Sequence, residues 1–345
     1  MRKKALIINP YWDSLGGGER YTATLVRYLL DRGWLVDIYW STDFSSQLKD
    51  RFGVDVGSAN WLNKTYSPPQ TIKYDLLFWV SDGSLPVSFC KKTIIHLQFP
   101  FLNIAGRGFK NFLKSRIYTF VVNSGFTKTF IDKEFSVSSQ VVYPPIDTSL
   151  FISAAKTNSI VYVGRFSNLT QHKGQEVLIK SFKNISKRIP GWKLVLAGGT
   201  SVGTNSADLT KLKKQAKGYP IEFVTNPSFD QLRKLFSSSK IFWSASGFGV
   251  DQNSQPIKTE HFGITVVEAM AAGSVPVIVN AGGHPEIVED KVSGFLWATT
   301  QELESTTLDL ITQNQFAKYS QAAQVRSKIF DVTEFNNRLD RVIKV

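Results

Sequence analysis

Short apolar runs alternate along most of the chain with longer stretches in which apolar residues recur every three or four positions. The runs predict strands at ALIIN, WLVDIYW, YDLLFWV, KTIIHL and YTFVVNS in the first half. In the second half they predict strands at SIVYVG, WKLVLAG, IEFVT, KIFWSA and VPVIVN. Helical spacing appears in ERYTATLVRYLLDRG, stopped by Gly33, and in residues 124–135. It returns after Lys173, Asn205, Ser228, Gly263 and His284, and again from Thr300 to the end. Strand and helix in alternation argue for parallel sheets flanked by helices, an α/β chain of two doubly wound, Rossmann-like halves. Between the halves, VVYPPIDTSLF carries Pro144 and Pro145, which suit neither a helix interior nor a central strand. A hinge over 145–157 divides the chain into domains 1–148 and 149–345. The last helix is assigned either to the second domain or to a return onto the first.

The bulk composition narrows the class. The chain has 345 residues, of which 42% are hydrophobic and 13% aromatic, enough for two cores. The single cysteine, Cys90, excludes an intramolecular disulfide and fits a reducing cytosol. The apolar stretch after the basic start MRKK is too short for a signal peptide and reads as a buried strand. No apolar run approaches the roughly 18 residues of a membrane span, so a cytoplasmic protein, soluble or peripheral on a membrane, is expected. Net charge is +13, with 18 basic against 12 acidic residues up to residue 150 and 23 against 16 beyond it. So even an excess forms no basic tail. It favours anionic partners such as phosphorylated ligands, lipid headgroups or nucleic acid, and a solvated surface accounts for much of it.

Ligands of open parallel sheets bind outside the carboxyl ends of the strands, so two such domains facing across a cleft would line it with the segments that follow strands. After the first strand comes NPYWDSLGGGERYTATLV, where Gly16, Gly17 and Gly18 precede a helix and let backbone approach a ligand. A dinucleotide fingerprint would require a third glycine where Tyr21 stands, although Asp37 lies at the distance of a ribose-binding acid. A turn needing positive φ explains the glycines equally well. After SIVYVG, Arg165 and Lys173 bracket a polar loop leading into a helix; two cations there suit a diphosphate. The stretch EHFGITVVEAMAAG sets Glu260 before a helix entry at Gly263 and Glu268 about one turn inside it. The amides of Gly263, Ile264 and Thr265 are then free to hold a phosphate or sugar oxygen. The plain alternative makes Glu260 a loop charge and Glu268 a helix-dipole partner, each worth about 0.3–1 kcal/mol. Glycoside hydrolysis needs two carboxylates on opposite sides of a bond, whereas these approach from one loop and one helix face. Binding vicinal hydroxyls suits them better.

His96 ends KTIIHL and is expected to point into the cleft, while His261 and His284 flank the glutamate segment. No Asp-x-Asp sequence occurs, so no aspartate pair for a divalent ion is visible. In GRGFKNFLKSRIY, Phe109, Phe112, Leu113 and Ile117 share one helical face among Arg107, Lys110, Lys114 and Arg116. Contact of residues 106–118 with an anionic membrane surface and a core-facing helix explain that pattern equally well.

The order GGGER, IIHLQFP, NSGFTK, YPPID, VGR with HKG, and EHFGITVVEAMAAG followed by VPVIVNAGGHPEIV resembles the retaining GT-B glycosyltransferases of family 4 along nearly the whole chain. Glu260 and Glu268 match that family's E-x7-E motif. The resemblance implies that Arg165 and Lys173 bind the donor diphosphate, and that Glu260 and the amides at Gly263, Ile264 and Thr265 hold the transferred sugar. It implies that Glu268 holds the ribose, that Gly17 and Gly18 touch the donor phosphate or acceptor, and that His96 lies near the reacting sugar. The base would pack near Thr225 and Asn226. No metal, cofactor or nucleic acid is implied, only a nucleotide-sugar donor and a glycan or lipid-linked acceptor. Front-face attack with retention would need no protein nucleophile. The segments also look like those of mannosyltransferases that extend lipid-linked oligosaccharides from GDP-mannose, with UDP-sugars close behind. Two departures are the longer loop SGFGVDQNSQPIKT and the missing membrane segment. A nucleotide-sugar epimerase or phosphorylase on the same fold, and a nonenzymatic nucleotide-sugar or glycan-binding protein, are the alternatives.

Overall fold

The computed structural model describes residues 2–104, 106–167, 171–200 and 206–344. It divides the chain into two compact units, Met1–Pro145 with Val332–Val345, and Ile146–Asp331. In the first unit the strands are β1 Lys4–Ile8, β2 Leu35–Tyr39, β3 Asn60–Leu62, β4 Leu76–Val80, β5 Lys92–Leu97, β6 Thr119–Val122 and β7 Gln140–Val141. They form one seven-stranded parallel sheet in the order β3-β2-β1-β4-β5-β6-β7. Its helices are α1 Gly17–Asp31, α2 Ser45–Phe52, α3 Phe109–Ser115 and α4 Gly125–Phe135.

The second unit holds β8 Thr157–Val163, β9 Lys193–Gly198, β10 Ile221–Thr225, β11 Ser239–Ser244, β12 Val275–Val279 and β13 Phe295–Trp297, all parallel, in the order β10-β9-β8-β11-β12-β13. Around them run α5 Gln175–Ile185, α6 Ser206–Ala216, α7 Phe229–Ser238, α8 Ile264–Ala271, α9 His284–Ile287, α10 Thr300–Gln313 and α11 Phe316–Ser327. The final helix, α12 Val332–Val342, belongs to the first unit. The expected strands and helices are all present. β3, β7 and β13 were not foreseen, because two or three residues carry no readable period.

Alternation within each strand sorts side chains between the two sheet faces. Ala5 and Ile7 of β1, Leu76, Phe78 and Val80 of β4, and Ile94 of β5 join the core under α1 and α12. Ile95 and Leu97 of β5, with Phe120 and Val122 of β6, pack on the other face against Ile131 and Phe135 of α4. Strands buried on both sides explain why they read as continuous apolar runs rather than as alternating ones. Asp37, at the distance of a ribose-binding acid, accepts instead from Tyr74 Oη at 2.6 Å and Asn60 Nδ2 at 3.0 Å. Among the described residues no helix is long and apolar enough to cross a membrane.

In each sheet the chain winds outward from one central strand and then jumps back to that strand's other side. This puts a crevice between β1 and β4 in one unit and between β8 and β11 in the other. The loops after those strands are where the functional side chains are to be sought.

On α12, Phe335 (2% exposed), Leu339 (1%) and Val342 (3%) join the first unit's core, and Tyr21 meets Phe335 edge-on at 5.0 Å. On its outer side Asp340 accepts from Tyr28 Oη at 2.6 Å and from the Arg32 guanidinium at 3.0 and 3.1 Å. Leu339→Ala leaves a cavity in the core and is expected to cost about 2–5 kcal/mol. Asp340→Asn, half exposed, should cost about 1 kcal/mol or less. Urea unfolding of the two variants measures the difference, and equal losses would show that α12 is not held by its apolar face.

Candidate active site

Lys173 follows β8 and Glu260 follows β11, the two strands that flank the second unit's crevice, and they meet although 87 positions apart. Lys173 Nζ lies 2.8 Å from Glu260 Oε2, with side chains only 10% and 17% exposed. Gln171 completes a triangle: its Oε1 accepts from Lys173 Nζ at 2.6 Å and its Nε2 donates to Glu260 Oε1 at 3.5 Å. No spacing rule pointed to Gln171, which stands in a loop. Its contact exists only because two distant strands end side by side.

Backbone packing holds Glu260 in place. The loop after β8 is laced to both ends of the long loop after β11: Gly247 N donates to His172 O at 2.8 Å, and His172 N to Lys258 O at 2.9 Å. The turn after β12 presses on the other side, with Gly283 N donating to Glu260 O at 2.8 Å. A Cβ at Gly282 would stand 2.1 Å from Glu260 O, and one at Gly283 would stand 2.5 Å from His261 O. Only glycines permit that approach, and Gly282 also has φ +60°. So the GGH of VNAGGHPEIV shapes the glutamate's loop.

The two flanking histidines tie backbone. His261 Nε2 lies 3.1 Å from Ile257 O and His284 Nδ1 lies 3.0 Å from Val279 O, both rings buried. Burial lowers both pKa values, His261 to about 4, against the opposing pull of Glu260. Burial pushes the Glu260 carboxyl up, but the Lys173 side chain 2.8 Å away outweighs it and holds the group at about 2. An ionised carboxylate and an ammonium therefore face one another at the carboxyl edge of the sheet, next to the entry of α8.

The first helical acceptor of α8 is Gly263 O, met by Val266 N at 3.0 Å, so the amides of Gly263, Ile264 and Thr265 precede the helical hydrogen bonds. Ile264 and Thr265 are partly exposed, while Glu268, further along α8, is 6% exposed. Arg165 is exposed just after β8, where its carbonyl accepts from Gln175 Nε2 at 2.8 Å. Residues 168–170 of GRFSNLTQHKG lie outside the described residues. Thr225 ends β10, the edge strand two places from β8, and Asn226 follows it, whereas Lys173 and Glu260 follow β8 and β11. Asn226, at φ +50°, exchanges hydrogen bonds with Thr200 at 2.8 and 2.9 Å. Among the described residues no three His, Cys, Asp or Glu side chains gather as metal ligands.

In the first unit, Gly17 opens α1 and Gly18 lies against the Gln98 side chain, where a Cβ would come within 2.3 Å of Oε1. Glu19 folds back over the turn, accepting from Gly16 N at 2.8 Å and from Ser14 Oγ. His96 does not open from its strand end as expected. Period-two alternation along β5 puts it on the face of Ile94, beneath α1, fully buried. Its ring stacks on Tyr21 at 4.1 Å and on Phe78 at 5.4 Å, and burial lowers its pKa to about 3. His96 thus packs as a neutral ring that supports α1.

These groups give stability a pH dependence. His96, His261 and His284 are neutral when folded, whereas an unfolded histidine protonates near 6.5. Their contribution is complete above that value and is lost as pH falls through about 4 for His261 and 3 for His96. Glu260, at about 2 against an ordinary 4.5, adds a further loss below pH 4.5. Urea midpoints are expected to fall steadily from pH 7 to pH 4, with a shallower slope in His96→Phe. A flat profile over that range would refute the neutral, buried assignment.

Comparison with known proteins places the chain in a family and a fold. Residues 150–325 match the family described as Glycosyl transferases group 1. Curated relatives named GDP-Man:Man(3)GlcNAc(2)-PP-Dol alpha-1,2-mannosyltransferase include those of Dictyostelium discoideum (26% identical over 232 residues, 61% of this chain and 43% of that one) and Homo sapiens (28% over 253 residues, 65% and 48%). The Xenopus laevis relative is 33% identical over 196 residues, 51% of this chain and 37% of its own. The chain thus spans less than half the length of these relatives. Among solved structures, a glycosyltransferase from Rickettsia africae superposes with a TM-score of 0.78 at 16% identity, over 99% of this chain and 97% of that one. The Anabaena protein HepE, in complex with UDP and glucose, gives 0.75 at 20% identity over 99% of both chains. These two share the fold, the GT-B architecture of two Rossmann-like halves. With the family match covering half of its length, the chain is a glycosyltransferase and belongs to the glycosyl transferases group 1.

Proposed function

We propose that this enzyme transfers mannose from GDP-mannose to a hydroxyl of a glycan or lipid-linked glycan, with retention of configuration and without a metal ion, at an anionic membrane surface. The observation that carries the proposal is the Lys173–Glu260 pair beside the α8 entry, in the crevice of a chain whose relatives are named mannosyltransferases. Lys173, with Arg165 and the amides of Gly263, Ile264 and Thr265, supplies positive charge for a diphosphate leaving group. Glu260, kept ionised by Lys173, accepts from two adjacent sugar hydroxyls, and Glu268 accepts from the ribose. To Thr225 and Asn226 we assign the base, and to Gly17 and Gly18 of the first unit the phosphate or acceptor. His96 supports the α1 turn from beneath it and touches no substrate.

In this mechanism the leaving phosphate oxygen takes the acceptor proton on the face it departs from, so the chain supplies positioning rather than a nucleophile. The carboxyl edge of the second sheet is suited to that task, because its polar groups are already paired and oriented before a donor arrives. A nucleotide-sugar epimerase, phosphorylase or nonenzymatic binder is less favoured, since residues 150–325 match a glycosyltransferase family.

Glu260→Ala is expected to lower kcat by about 100-fold or more, the positioning effect being lost. Lys173→Ala should chiefly raise the donor Kd, by about 10- to 100-fold, as hydrogen bonds to charged groups contribute about 1.5–3 kcal/mol. Steady-state kinetics with GDP-mannose and with UDP-sugars, read beside thermal melts of each variant, check this. Near-native kinetics in both variants would overturn the site. NMR of the product should show an alpha linkage and EDTA should leave the rate unchanged. An inverted product, or a loss restored by Mg²⁺ or Mn²⁺, would overturn the mechanism.

A further inference from the structure

The first unit exposes a group of large apolar side chains that its folding does not use. On and beside α3, Phe109 is 77% exposed, Leu113 53% and Ile117 73%, with Phe112 also exposed. The core-facing alternative for this helix therefore fails: its apolar face points outward. Two other segments add to it, with Val87 and Phe89 exposed between β4 and β5 and Ile72 exposed before β4.

Hydrogen bonds join these segments into one surface. Lys114 Nζ donates to Leu85 O at 2.6 Å, and Tyr118 Oη, next to Ile117, donates to Pro86 O at 3.0 Å and accepts from Ser88 N at 3.1 Å. Phe89 N donates to Thr71 Oγ1 at 2.8 Å, which sets Phe89 beside Ile72. The entry to α3 is pinned as well: Glu134 accepts from the amides of Asn103, Ile104 and Gly106 at 3.0–3.1 Å, and Arg107 donates to Lys133 O. The apolar groups are thus presented by a braced framework.

Around α3, from Gly106 to Tyr118, the charge is of one sign, with no acidic residue. Arg107, Lys110 and Arg116 stand exposed around α3, and Lys73 and Lys91 are exposed on the other two segments. The acids on and beside the other segments are engaged: Asp75 pairs with Lys91 at 2.6 Å, Asp82 accepts from Ser84 N at 3.0 Å and Oγ at 2.7 Å, and Glu134 holds backbone amides. Aromatic and aliphatic side chains among exposed cations complement a bilayer whose headgroups are anionic and whose acyl chains lie just below.

We infer that Ile72, Val87, Phe89, Phe109, Leu113 and Ile117 form one composite surface by which the first unit docks on an anionic lipid bilayer. This deepens the membrane part of the proposed function and names the surface responsible. Lipid contact spreads over three segments distant in sequence, so α3 alone is not the docking element.

Flotation of the purified chain with vesicles of phosphatidylcholine alone, and of phosphatidylcholine with about one third phosphatidylglycerol, tests it, since lipid binding is read without turnover. Binding is expected only to the anionic vesicles and should weaken with salt. Val87→Ser/Phe89→Ser, which leaves α3 intact, should lower the vesicle partition about tenfold, as should Phe109→Ser/Leu113→Ser. Lys110→Glu/Arg116→Glu should abolish the preference for anionic vesicles, and circular dichroism and thermal melts of each variant verify the fold. No binding to anionic vesicles at low salt, or full binding by folded Val87→Ser/Phe89→Ser, would overturn the composite surface. So would a concentration-dependent dimer of the wild type that these substitutions dissociate, since a second copy would then cover the face. Loss of vesicle binding with unchanged turnover on a soluble acceptor would support the surface and leave the catalytic assignment standing. Vesicle binding by a chain inactive on every donor would refute that assignment alone.

Discussion

The contact between Lys173 and Glu260 is the constraint around which the second unit is organised. Taking both charges out of water costs several kcal/mol, and their attraction repays that only with good geometry and further hydrogen bonds. Gln171 supplies one such partner, and the 2.8 Å separation supplies the geometry. Neither residue can reach the other unless β8 and β11 are neighbours, which requires the chain to wind outward through β9 and β10 before returning. The pair thus depends on the topology, and the loops around it are shaped to keep it.

That shaping uses backbone more than side chains. His172 laces the two ends of the long loop after β11, Gly282 and Gly283 let the turn after β12 lie against Glu260, and two neutral histidines bond to carbonyls. Buried polar groups are tolerated where each finds a partner. A carboxylate held this way is ready for hydroxyls without reorganisation, which is the physical content of preorganisation. The entry of α8, whose amides precede the helical hydrogen bonds, adds positive potential at the same edge of the sheet.

The first unit divides its unusual residues differently. Where β5 ends, the polar His96 is turned inward, a flat neutral ring between Tyr21 and Phe78. At α3, apolar residues are turned outward and held there by Glu134 and Lys114. Both reverse the usual partition of polar and apolar groups. Ring packing against Tyr21 and Phe78 holds the first inversion, and hydrogen bonds from Lys114 and to Glu134 brace the second.

Period and punctuation in the amino-acid sequence were enough to determine the α/β class, the main strands and helices, and the placing of Glu260 before α8 with Glu268 within it. Those properties follow from local physics: burial of apolar faces, helix termini and turn residues. Only the tertiary structure decided that Gln171 joins Lys173 and Glu260, that Thr225 and Asn226 stand two strands from them, that Asp37 is a packing acid, and that α12 returns to the first unit. Each is a relation between residues distant in sequence, set by how the chain packs, which local pattern does not encode. The face of His96 shows the same limit. Strand-end position pointed it outward, but period two set it under α1, and only the helix that covers that face shows whether it is open or closed.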